Sequence, residues 1–183
     1  MELTGRRASG KTPCGLDASD LALGIVVSDY HASLAESLLE GALRCILEHG
    51  GDSARGPILR VPGAFEIPQA VSHLLARPGR SLDAVVALGV LIRGETLHFE
   101  ILAREVCASL ERIGISSGVP VAFGVLTVDT QEQARDRAGA GRANKGWEAA
   151  HAALRMISSF RGGDAGEAFS RRSSRRRRAA GKR

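Results

Sequence analysis

Long apolar runs are missing from this sequence. No stretch approaches the roughly 20 consecutive apolar residues that span a bilayer. The opening residues, MELTGRRASGK, lack the apolar core of a secretory signal. A helical membrane protein is thereby excluded, and the cytoplasm is the expected location. Cysteines are few and odd in number. Cys14, Cys45 and Cys107 stand far apart, a pattern of reduced thiols rather than of a disulfide framework or a zinc site. No metal site is expected. The dinucleotide fingerprint GxGxxG is also absent. Tyrosine occurs once, at position 30.

What is present suits one globular domain. The chain has 183 residues with 44% hydrophobic and 25% charged content, enough for a core and ordinary for a globular protein. Its net charge of +5 is a local effect. The last thirteen residues, RRSSRRRRAAGKR, hold eight basic groups and no acid, so the remainder carries 17 basic against 20 acidic groups. Such a tail reads as a solvated, disordered extension that could also bind a polyanion weakly. The organisation expected is a loose arm over 1–20, a folded domain over 21–162 and a basic tail over 163–183.

Within the domain, near-continuous apolar runs alternate with amphipathic stretches. Strands are predicted at Leu21–Ser28, Pro57–Val61, Asp83–Ile92 and Pro120–Val128. Between the first two, Ser33 and Glu36 have capping-box spacing, Leu34, Leu38, Ala42 and Ile46 fall on one helical face, and Gly50–Gly51 stop the helix. Pro68 suits the first turn of a second helix that Pro78–Gly79 end. A third runs beyond Gly94 with Leu102, Val106, Leu110 and Ile113 inward. Thr130 and Gln133 form a second capping box. After the Gly-rich break Gly139–Gly146, a last helix carries Trp147, Ala150, Leu154 and Ile157 on one side. Apolar strands alternating with helices predict a three-layer α/β domain, its four-stranded parallel sheet covered on both faces.

In such folds ligands bind beyond the carboxyl ends of the strands, and three of these ends carry unusual residues. Tyr30 closes the first strand and offers a flat ring and a hydroxyl. After the second, Gly63 and Ala64 let a ligand approach the backbone, Phe65 follows, and Glu66 can accept from hydroxyls. After the third, Gly94-Glu95-Thr96 lead into a helix whose free N–H groups suit an anion. His98 follows in its first turn, an imidazole beside the anion site and a candidate for proton transfer. Arg137 and Lys145 flank the Gly-rich break as candidate cations.

Four segments together, VPGAFEIP (61–68), ALGVLIRGETLHFE (87–100), PVAFGVLTVDTQEQA (120–134) and NKG (144–146), resemble the lumazine synthase family. The resemblance implies a flavodoxin-like sheet in pentamers, packed in some members into sixty-subunit shells. It implies condensation of 5-amino-6-(D-ribitylamino)uracil with 3,4-dihydroxy-2-butanone 4-phosphate to 6,7-dimethyl-8-ribityllumazine, in riboflavin biosynthesis. Phosphate and water are released, and no cofactor is used. Carried onto this sequence, Tyr30 stacks on the pyrimidine and Ala64 and Glu66 contact the ribityl chain. The backbone of Val90, Leu91 and Ile92 meets the pyrimidine. The Glu95 and Thr96 amides and Arg137 hold phosphate, and His98 transfers protons. Phe123 and Lys145 come from a neighbouring subunit. The alternative is a non-catalytic lumazine- or flavin-binding oligomer of the same fold. The sequence departs from the family at Asp29-Tyr30-His31, where a basic residue, Phe or Trp, and then Asn or Tyr are common. Leu97 and the loop GAGRAN (139–144) depart as well.

Overall fold

A computed structural model describes residues 16–78 and 81–162. The strands are β1 (Leu23–Ser28), β2 (Ile58–Val61), β3 (Ala84–Ile92) and β4 (Val121–Val128). They form one sheet in the order β2-β1-β3-β4, with every neighbouring pair parallel. The helices are α1 (Ala32–Glu48), α2 (Ile67–Leu75), α3 (His98–Ser117), α4 (Gln131–Ala138) and α5 (Lys145–Gly162), with single 3₁₀ turns at Ser53–Arg55 and Ala64–Glu66.

Strand side chains alternate between two cores, as a sheet buried on both faces requires. Ile25, Val27, Val86 and Leu88 pack with Leu38 and Ile46 of α1, Ala134 of α4 and Leu154 of α5. Val26, Val85 and Ala87 pack with Val71 of α2 and Val106 and Leu110 of α3. The three-layer α/β arrangement predicted from the sequence is therefore the one observed, with strand limits shifted by one or two residues.

Three local expectations change. Ser33 does not cap α1: His31 holds that position, in a left-handed conformation (φ 59°) and with no side-chain cap. Glu36 turns instead to Arg60 of β2, at 2.6 Å. Residues 16–20 are not loose, since Ala18 is fully buried and its N–H donates to the His49 carbonyl at 2.9 Å. Helix α2 ends at Leu75, short of Pro78, and Gly79 lies outside the described residues. So do residues 1–15, with Cys14, and the basic tail from 163 with its polyanion reading. The second capping box forms in part: the Gln133 N–H donates to Thr130 Oγ1 at 3.2 Å, while Gln133 Oε1 accepts at 3.0 Å from the N–H of Asp129, one residue before the cap.

The Gly-rich break is organised by Asn144, which is buried. Its Nδ2 lies 2.8–3.0 Å from the carbonyls of Ser37, Ala138 and Gly139. Its Oδ1 accepts from the N–H groups of Gly146 and Trp147, at 2.8 and 3.2 Å, and so caps α5. Helix α5 then runs to the foot of the sheet. There Arg161 pairs with Asp83, just before β3, and Leu16 and Leu21 share a groove with Leu154 and Ile157. Cys45 is buried and Cys107 exposed, both as free thiols. Among the described residues no helix is long and apolar enough to cross a membrane.

Candidate active site

The tips of β1, β2 and β3 converge because β1 lies between β2 and β3. At the first tip the Asp29 N–H continues the ladder to the Val61 carbonyl at 2.8 Å. Tyr30 is 66% exposed, so it is not a core aromatic. Its ring meets that of His31 edge-on, with centroids 4.8 Å apart. His31 is the one non-glycine residue with positive φ among the described residues, a conformation that costs roughly 1 kcal/mol and clusters at functional sites.

At the second tip Ala64 is buried, while Phe65 is largely exposed. A methyl group built on Gly63 would sit 3.1 Å from Glu66 Oε2, so the bare glycine leaves that carboxylate room. At the third tip Val90, Leu91 and Ile92 form one wall, and the chain turns through Gly94 and Thr96 to His98, the first residue of α3. The His98 N–H lies 3.4 Å from Thr96 Oγ1. Arg93 braces this turn from outside. It bonds Asp129 at 2.7 Å and Glu100 at 2.9 Å, and lies over the Phe99 ring, 4.7 Å from its centroid.

The result is a cleft of about 680 Å³, ample for two small substrates. It unites Tyr30, Gly63, Ala64, Phe65, Glu66, Val90, Leu91, Ile92, Thr96 and His98 from three separate segments. Four predicted residues are not part of it. Glu95 is exposed beside it. Arg137 stays on α4, its Nη1 donating to the Gln133 carbonyl at 3.1 Å. Phe123 and Lys145 line a smaller pocket of about 290 Å³ on β4 and α5, where Lys145 pairs with Glu148 at 2.7 Å. Strand β4 is the far edge of the sheet, and Phe123 pairs with Ala87, well before the strand tips. A more open groove of about 760 Å³ between α2 and α3 lies away from the strand tips.

The sequence reading left out three residues of the cleft: Phe99, Ile101 and Leu102. Two of them carried a usable signal, since Ile101 and Leu102 stand three and four residues after His98 and share its helical face. Residues 5–12, GRRASGKT, also spell the phosphate-loop pattern GxxxxGK[ST]. That match lies outside the described residues.

Chemically, the cleft offers a flat ring, a carboxylate to accept from hydroxyls, an imidazole for proton transfer and turn backbone at a helix start. No group of His, Cys, Asp and Glu suited to a metal occurs among the described residues. A family model for 6,7-dimethyl-8-ribityllumazine synthase matches residues 20–161. The chain belongs to this family. Relatives carrying that enzyme's name include proteins of Aquifex aeolicus (strain VF5) and Chloroherpeton thalassium, each 45% identical over 146 residues. A third, from Chlorobium limicola, is 43% identical over the same length. The alignments cover 80% of this chain and 93–94% of each relative. The three converging tips all fall within the lumazine synthase match, whereas the basic tail falls outside it.

Proposed function

We propose that this chain is a lumazine synthase of riboflavin biosynthesis. It condenses 5-amino-6-(D-ribitylamino)uracil with 3,4-dihydroxy-2-butanone 4-phosphate to 6,7-dimethyl-8-ribityllumazine. The observation that carries this reading is the single cleft shared by Tyr30, Glu66 and His98 in a chain of this family. The uracil's 5-amino group attacks the ketone and loses water to give an imine. Phosphate is eliminated, and ring closure expels a second water.

In this reading Tyr30 stacks on the pyrimidine, whose polar edge meets the backbone of Val90, Leu91 and Ile92. Ala64 and Glu66 hold the ribityl chain, and Gly63 and Phe65 shape the wall around it. The amides of Glu95 and Thr96, with Arg137, take the phosphate, and His98 passes protons between the steps. These steps need positioning more than a strong electrophile. Holding two reactants in register is worth an effective molarity on the order of 10⁵ M or more.

Phe123 and Lys145 act on the cleft of an adjoining subunit, in a pentamer or an assembly of pentamers. The exposed Phe123 on an edge strand supports this. The cytoplasm is the proposed location. A non-catalytic lumazine- or flavin-binding oligomer is not favoured, because relatives at 43–45% identity carry the synthase name. Mixing purified protein with both substrates tests the reading. Lumazine fluorescence should rise with equimolar release of phosphate, and the active species should have the mass of a pentamer or a multiple of it. Absence of both products would overturn the assignment.

A further inference from the structure

The tip that carries Tyr30 is held by backbone bonds, with the Leu34 and Ala35 N–H groups donating to the His31 carbonyl at 3.0 and 3.1 Å, but by no side-chain cap. Helix α1 begins at Ala32 without a side-chain cap, directly after the left-handed His31. What spans this tip is Arg60, which comes from β2, 31 residues beyond Asp29 and 24 beyond Glu36. One arm of its guanidinium bonds Asp29 Oδ1 at 3.2 Å, and the other bonds Glu36 Oε2 at 2.6 Å. The two carboxylates lie on either side of Tyr30 and His31, so one planar fork ties the end of β1 to the second turn of α1.

The same contact also sets the charge next to the cleft, although none of the three residues lines it. Asp29 directly precedes Tyr30 in the chain, and Arg60 pairs with both carboxylates, which leaves one net negative charge where there would otherwise be two. All three side chains are about half exposed (46–51%), so the network adds little to stability. Its effect on a charged ligand is another matter. An uncompensated carboxylate at a cleft mouth repels an anion over roughly 8–10 Å at moderate salt.

We propose that Arg60 is a positioning and specificity-tuning residue: by gripping Asp29 and Glu36 it fixes Tyr30 as the aromatic wall, and it cancels carboxylate charge that would repel the phosphate-bearing substrate. The inference rests on the function proposed above. It gives Arg60 two separable effects, one on the neutral heterocycle through Tyr30 and one on the anion through charge.

The test varies each substrate at saturating levels of the other, in wild type, Arg60→Gln, Asp29→Asn and the double variant. Arg60→Gln should raise KM for the sugar phosphate about two- to fivefold, and raising the salt should shrink that rise. KM for the uracil should also rise, without salt dependence. Adding Asp29→Asn should restore KM for the phosphate but not for the uracil. If Arg60→Gln does not fold, Asp29→Asn alone decides: its KM for the phosphate should stay level or fall, and a rise overturns the inference. In the full set, unchanged KM values in Arg60→Gln, or a rise that neither salt nor Asp29→Asn affects, overturn it too. A wild type that makes no lumazine sinks the functional reading and this inference together. An active wild type with salt-blind variants sinks this inference alone.

Discussion

Asn144 occupies the space that a side chain on Gly41 would need: a methyl group built on Gly41 falls directly on Asn144 Oδ1. The amide has no room to yield, because both its ends are committed to backbone partners in three segments. Gly41 is thus a glycine inside α1 for a tertiary reason. Gly41→Ala should destabilise the fold by about 1–3 kcal/mol through overpacking. Asn144→Ala should cost about 2–4 kcal/mol, since it leaves several buried backbone groups without partners and uncaps α5. Urea unfolding midpoints check both, and midpoints equal to wild type would contradict the arrangement.

His98 stands at the first position of α3 on the wall of the cleft. If it carries protons in a reaction that depends mainly on positioning, His98→Ala should slow turnover by about 10–10³-fold without abolishing it. Steady-state kinetics on both substrates measures this, and an unchanged kcat/KM would remove His98 from the mechanism.

A pH effect on stability should arise far from the cleft. His151 stacks on Trp147 at 5.0 Å and lies 5.5 Å from His49. Burial, then the neighbouring His49, Arg155 and Arg142, hold its imidazole below the ordinary 6.5. The unfolded chain therefore takes up this proton more readily than the folded one. The contribution is nil above about pH 7, where both states are neutral. It turns unfavourable as pH falls through 6.5 and levels off below the folded-state value. Chemical denaturation from pH 7.5 to 5 should show a steeper loss of stability in wild type than in His151→Gln. Parallel curves would show that His151 does not titrate in this way.

The architecture was legible because a parallel sheet covered on both faces demands strands that are apolar nearly throughout, as β3 is over its whole length and β1 is up to its last residue, Ser28. Local caps were legible only when both partners were local. Thr130 and Gln133 stand three residues apart and find each other. Ser33 and Glu36 have the same spacing, yet Glu36 is drawn to Arg60, which sequence distance hid. The cleft was readable where residues fell at strand tips, as with Tyr30, Glu66 and His98. Ile101 and Leu102 were missed because they reach it from a helix already assigned to packing. Asn144 was seen only as part of a short motif, since nothing local tells that its amide will be buried among three segments.

The meeting of Leu16 and Leu21 with Leu154 and Ile157 at the foot of the sheet has a practical side. Both ends of the described domain leave from the pole opposite the strand tips. A reporter or an enzyme fused genetically beyond either end therefore sets out away from its own subunit's substrate doorway.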